Sequence, residues 1–238
     1  MIPLTVDVPM DRRPWMNYGL MLVILAAGIV GFIDSRVFCT LTGCDVSPLE
    51  QIKAAYHNQL LIPTLRENHL PFPILAVSST FFHFGPLQLL GNLIFLWVFG
   101  NAVNYKFGQW GYLGLFVATA FVAGMFHYWI TGYPVLGAAN AVNGLMGAFL
   151  VFFPQNTVTM ILYGRRVAIS CGWVIAFYVV CDVVSLTFFP LGRMMLWGHV
   201  FGFLTGLGIA LGCLLLGWVC PSPDEESILS VLGIRSDG

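Results

Sequence analysis

A few polar side chains interrupt stretches that are otherwise apolar. His199 opens WGHVFGFLTG, and Asn92 and Gln88 lie in FFHFGPLQLLGNLIFLWVFG, just after His83. Asn140 follows Gly137, Ala138 and Ala139 near the start of PVLGAANAVNGLMGAFLVFF. A submerged histidine facing a residue on a second helix, with amide side chains nearby, suits nucleophilic acyl transfer. The imidazole takes a proton from the nucleophile. Amide and backbone N–H donors stabilise the oxyanion that develops on the attacked carbonyl. Peptide hydrolysis inside a membrane also needs water, which a polar cavity open to one membrane face admits.

Each residue also has a plainer reading. His199 alone could be an interfacial hydrogen-bonding group, and Asn92 alone could be interhelical glue. His83 suits a packing role, His127 an interfacial one, and His57 and His69 a loop surface. Asp182 reads as an interior or interface carboxylate with a polar partner, or as a gate for water or substrate. Ser78, Ser79, Ser170 and Ser185 have no companion motif that would make any of them a nucleophile. The tryptophans read as interfacial aromatics, not as a cofactor box.

These residues must be held by membrane helices. The chain has 238 residues, 58% hydrophobic and 9% charged, with a mean hydropathy of +0.84. Soluble domains carry roughly 25% charged residues. A net charge of −1 gives no basic stripe for nucleic acid. The segment 1–15 is too polar for a secretory leader, and no cleavage pattern follows the next apolar run. That run reads as the first of six spans: 18–33, 83–103, 110–131, 136–153, 167–189 and 196–219. Each is near the ~20 residues that cross a hydrocarbon core. Residues 1–17 form a polar lead and 220–238 a polar tail. The long connection 34–82 suits packing on or partly into the membrane surface. Cys39 and Cys44 share that connection and could pair if it is extracytoplasmic. No Cys/His spacing resembles a zinc site.

The fold class expected is therefore an all-α membrane bundle, with both termini on one side. That side carries Arg12, Arg13, Lys106, Arg165, Arg166 and Arg235; the other carries Arg36, Lys53, Arg66 and Arg193. The paired arginines beside short loops make the first side cytoplasmic. Residue 139 and His199 then sit at similar depth below the outer face, with His83 and Gln88 high and Asn92 deeper. Gly137, Ala141, Gly144 and Ala148 form a small-residue face on the fourth span, and Gly198, Gly202 and Gly206 form another on the sixth. If these faces meet, residue 139 and His199 come into contact.

Three blocks carry a family resemblance. FFHFGPLQLLGNLIFLWVFGNAVN resembles the second-helix block of rhomboid intramembrane serine proteases, GAANAVNGLMGAFLVFFP resembles their GxSG block, and WGHVFGFLTG their AHxxGxxxG block. The blocks occur in the family's order, and the resemblance covers nearly the whole chain. It implies a six-helix rhomboid bundle with a membrane-associated loop between helices one and two. It implies His199 as general base, Asn92 at the oxyanion site, Gly137 as the first glycine of GxSG, and Gly202 and Gly206 as packing glycines. Gln88 and Asn140 complete the expected oxyanion and substrate-binding set. The fifth span would be the lateral gate.

Three positions depart from the pattern. The serine slot holds Ala139, whose methyl group cannot attack a carbonyl. Asn140 stands where glycine is usual, and Gln88 where histidine is common. Two readings of Ala139 stay open. One is an engineered Ser→Ala change in an active protease. The other is a natural pseudoprotease that binds membrane helices without cutting them. Retained His199 and Asn92 favour the first; altered positions 88 and 140 favour the second. The resemblance implies single-span membrane proteins as substrates, the lipid bilayer as partner, no metal or organic cofactor, and a bacterial inner membrane location.

Overall fold

A left-handed glycine, Gly108 (φ 71°, ψ 177°), reverses the chain inside its longest apolar segment. Residues 100 and 112 would be about 18 Å apart in a straight helix. Here a Cβ on Gly100 would lie 2.9 Å from the Tyr112 hydroxyl oxygen. The run on either side of Gly108 is therefore two helices packed side by side. The computed structural model describes residues 2–42, 72–83, 85–131, 136–188, 190–222 and 225–234.

The helices, in chain order, are α1 (Trp15–Thr42), α2 (Phe72–Ser78), α3 (Pro86–Phe95), α4 (Asn101–Thr131), α5 (Ala139–Phe152), α6 (Cys171–Phe188), α7 (Pro190–Leu215) and the single turn α8 (Ile228–Val231). Pro86 starts α3 because its fixed φ suits a first helical turn and its missing N–H is not needed there. One wider π-helical turn, Leu96–Gly100, joins α3 to α4. At its start the Leu96 carbonyl accepts from the Asn17 amide at 2.8 Å. The same amide donates to Asn101 Oδ1 at 2.7 Å, while the Tyr112 hydroxyl donates to Asn17 Oδ1 at 2.5 Å. Asn17 is fully buried, so this network ties α1 to the hairpin of α3 and α4.

The segments Pro86–Thr131 and Leu196–Leu215 are long and apolar enough to cross a membrane, the first being the hairpin bent at Gly108. Shorter apolar helices are Trp15–Gly31, Ala139–Phe152 and Cys171–Val184. Leu22 is 67% exposed and Val30 63%, an apolar surface that suits lipid. Helix α5 is at the centre. Leu145, Phe149 and Phe152 are buried on it, with Phe99 edge-on to Phe149 and Phe107 edge-on to Phe152.

The fold is mostly helical but not all-α. Strand β1 (Ile2–Val6) pairs antiparallel with β2 (Thr157–Leu162), which pairs antiparallel with β3 (Arg165–Ser170). Residues 167–170, expected inside the fifth span, belong to β3, and that helix begins at Cys171. Hydropathy could not separate a short apolar strand from a helix start. The turn could have: Tyr163 (φ 48°) and Gly164 (φ 74°) form a two-residue hairpin loop with positive φ at both positions. Part of the polar lead is likewise a strand, anchored by Asp7. Its Oδ1 accepts from the Thr157 N–H at 2.8 Å and the Asn156 amide at 2.9 Å, and Oδ2 accepts from the Thr157 hydroxyl at 2.9 Å. The expected second and fourth spans start later than hydropathy suggested, at Pro86 and Ala139.

The sheet sets which ends share a face. Pairing of β1 with β2 puts the N-terminal lead and the connection after α5 at one end of the bundle. The Lys106–Glu225 ion pair ties the tail after α7 to the α3–α4 hairpin near Gly108. At the other end, the Gly137 N–H donates to the Ser79 carbonyl at 3.2 Å, joining the turn before α3 to the start of α5. Cys44 of the expected Cys39–Cys44 pairing, His57 and His69 lie outside the described residues.

Candidate functional site

The approach of α5 and α7 builds the site. A Cβ on Gly206 would overlap the Gly144 carbonyl, and one on Gly202 would overlap the Asn140 carbonyl. Residues 140 and 144 thus pair with 202 and 206, so the two helices run the same way with their backbones in contact. Only glycine permits this approach. One turn earlier, a Cβ on Gly198 would overlap the Asn140 side-chain amide. Ala139 and His199 each neighbour one member of that pair in sequence. The glycine face of α7 read from the sequence meets α5 at Asn140 and Gly144, whereas Gly137 and Gly144 of the expected α5 face open toward Gln88 and Thr119 instead.

His199 is not alone. Its Nδ1 lies 3.0 Å from Asp182 Oδ2 on α6. The imidazole side chain is 18% exposed and the carboxylate 30%. On the other flank, α4 meets α7 through Phe126 stacked on Phe201, with centroids 4.1 Å apart. His127 on α4 is fully buried and within electrostatic reach of His199. The interfacial position expected for His127 is therefore corrected: helix packing covers it.

The amide-rich side of the site is built by α3 and the segment before α5. Gly137 has φ 101°, a conformation that favours glycine, and a Cβ there would lie 2.7 Å from Gln88 Nε2. That space lets Gln88 donate to the Leu136 carbonyl at 3.1 Å. The Ala138 N–H donates to His83 Nε2 at 3.4 Å, so His83 touches the segment that leads into residue 139. Asn92 lies one turn after Gln88 on α3 and is buried. Its Nδ2 has no hydrogen-bond partner among the described residues.

Ala139 is the first residue of α5, partly exposed, and its carbonyl accepts from Asn143 Nδ2 at 2.9 Å. The N–H groups of a helix's first turn have no intrahelical acceptor and carry the positive end of its dipole. An anion forming near Ala139 would meet those groups. Asn140 is buried, with neither amide atom partnered among the described residues. Orphaned amides of this kind are rare in a packed core. Asn92 on α3 and His127 on α4 likewise have buried polar atoms with no partner among the described residues.

Sequence reasoning missed the link between Asp182 and His199. The available signal was a lone carboxylate in an apolar helix, which needs a partner. A separate cavity of about 550 Å³ opens at the sheet end, lined by Arg12, Arg13, Lys106 and Trp218 among others. It is on the order of 24 Å or more along α7 from His199, at the helical rise of 1.5 Å per residue, and takes no part in this site.

Residues 74–216 match the family described as "Rhomboid domain". "Rhomboid protein 1, mitochondrial" of Saccharomyces cerevisiae is 25% identical over 170 residues, which cover 68% of this chain and 46% of the yeast protein. The chain thus spans about half the length of the curated relative it matches. The matched segment holds Gln88, Asn92, His127, Ala139, Asn140, Asp182 and His199, and this chain belongs to the rhomboid family of integral membrane proteins.

Proposed function

We propose that the chain carries a rhomboid serine-endopeptidase site for single-span membrane proteins, and that Ala139 holds it inactive. The observation behind this reading is the close approach of α5 and α7 at Asn140 and Gly198, the sequence neighbours of Ala139 and His199. With serine at 139, the hydroxyl proton would pass to His199 Nε2 while Oγ attacks the scissile carbonyl. The oxyanion would be held by the free N–H groups of the first turn of α5 and the Asn92 amide, with Gln88, Gly137 and Asn140 shaping the pocket. His199 would return its proton to the leaving amine, and water would release the acyl group by the same steps. The sequence needs no metal or organic cofactor. Alanine has no oxygen to form the first bond.

The bundle is read as six spans, with α6 as the lateral gate and cleavage near the outer membrane boundary. The sheet end carries Arg12, Arg13, Lys106, Arg165 and Arg166, a charge bias that supports placing it in the cytoplasm. Trp15, Trp110, Trp173 and Trp218 are strongly exposed near the same end, as interfacial anchors should be. Both termini are then cytoplasmic, in a bacterial inner membrane.

A second reading, a natural pseudoprotease, is favoured by one observation. Asn140 fills space that a Cβ at residue 198 would need, and residue 198 is glycine where the AHxxGxxxG block has alanine, a departure beyond the three at 88, 139 and 140. The neighbourhood of the missing nucleophile is packed around the substituted residue. Comparison of the chain with its Ala139→Ser form, on a helix-destabilised single-span substrate, separates the readings. Cleavage by the serine form alone supports the protease reading. Capture of the substrate helix by the written chain, with neither form cutting, supports the pseudoprotease.

A further inference from the structure

We infer that Asp182 is a positioning residue for His199, holding its imidazole with the proton on Nδ1 and the lone pair on Nε2. The contact is Nδ1 to Oδ2 at 3.0 Å. An ionised carboxylate only accepts, so in a neutral ring Nδ1 must be the donor. Nε2 is then the acceptor, which is the state a general base needs. Both groups are partly withdrawn from water, with side-chain exposures of 18% and 30%, so the bond is not lost to solvent competition.

His127 on α4 also lies within electrostatic reach of the ring, but that imidazole can donate or accept and so sets no tautomer by itself. Asp182 is on α6 and His199 on α7, so the bond also fixes the crossing of these helices. A two-residue site of nucleophile and base would need no such carboxylate. The written chain therefore retains an oriented base opposite a residue that cannot use it.

The meaning of this bond for catalysis rests on the proposed peptidase reading; the tautomer itself does not. The test uses the full chain in detergent micelles, with 15N-labelled histidine and the His199 signals assigned by His199→Gln. At a pH where the ring is neutral, the unmodified chain should show a protonated Nδ1 and an unprotonated Nε2. In Asp182→Leu the Nε2–H form should become dominant, and Asp182→Glu should restore the original pattern. An Nε2–H ring in the unmodified chain, or an unchanged ring in Asp182→Leu, overturns the inference. In the Ala139→Ser background, Asp182→Leu should lower kcat about 10–100-fold, less than the ~10⁴ seen for a fully buried partner. KM should stay unchanged, with recovery in Asp182→Glu. Loss in KM alone overturns the positioning role. If Ala139→Ser does not cleave, the peptidase reading fails and the spectrum alone decides this inference.

Discussion

The fit between Asn140 and Gly198 makes a quantitative prediction about the site. Gly198→Ala adds one methyl where the Asn140 amide already lies, on two helices whose backbones touch one turn further on. The backbones are held by Gly202 and Gly206 on the carbonyls of Asn140 and Gly144, so it is the Asn140 amide that must give way, and its burial limits how far it can turn. Overpacking of this kind costs about 1–3 kcal/mol. Asn140→Gly removes the obstacle. Its own effect is small: glycine in a helix costs about 1 kcal/mol relative to alanine, but less relative to asparagine. It also relieves a buried amide with no partner among the described residues. The double variant should thus be nearly as stable as Asn140→Gly alone, giving a coupling of about 1–3 kcal/mol in a double-mutant cycle. Thermal unfolding in one fixed detergent would read this. Taking about 2–4 °C per kcal/mol for a chain of this size, Gly198→Ala should lower Tm by about 2–12 °C, and Asn140→Gly should rescue it. Equal Tm losses with and without Asn140 would refute the packing argument, and with it the structural support for an adapted, non-catalytic site.

Other perturbations probe the frame around the site. Asn17→Ala would strand the Leu96 carbonyl, Asn101 Oδ1 and the Tyr112 hydroxyl, and at about 1–3 kcal/mol each, reduced by any water that enters, should cost about 3–6 kcal/mol. Tyr112→Phe removes one donor from the same network and should cost about 1 kcal/mol, so denaturant titration that ranks it above Asn17→Ala would contradict the assigned bonds. Gly206→Leu should separate α5 from α7 and, in the Ala139→Ser form, abolish cleavage, whereas Gly212→Leu, where a Cβ meets nothing within 4 Å, should be tolerated. Burial pushes the Asp7 carboxyl up, but hydrogen bonds from Asn156 and Thr157 outweigh it and leave the group below the usual aspartate range. A depressed pKa adds stability above the unfolded value that is lost as pH falls through the folded one. Unfolding followed from pH 6 to pH 3 should therefore show a modest loss that is absent in Asp7→Asn, modest because Asp7 is exposed to solvent.

The helical frame was legible because lipid demands long apolar runs, and because glycine and alanine at helical spacing have few other uses in a membrane. That logic places Ala139 and His199 on touching helices. It failed at the sheet. Ile2–Val6 and Thr157–Ser170 are short, and half of their residues resemble the flanks of a membrane helix, so hydropathy averaged them away. The Tyr163–Gly164 turn was the readable clue. The Asp182–His199 bond was hidden for another reason. The residues are 17 apart on different helices, and which face of α6 meets α7 depends on packing, not on spacing. His127 was misjudged because its place near a helix end suggested water, whereas α4 turns that side of the ring into the bundle.

The most direct measurement is proteolysis in proteoliposomes that contain one helix-destabilised single-span substrate and, in turn, the written chain, Ala139→Ser, and Ala139→Ser with His199→Gln. The expected result is a cleavage product near the outer membrane boundary with Ala139→Ser alone. Cleavage by the written chain at a matching rate would show that residue 139 is not the nucleophile's place. Cleavage by the doubly substituted form at the same rate would show that His199 is not the base.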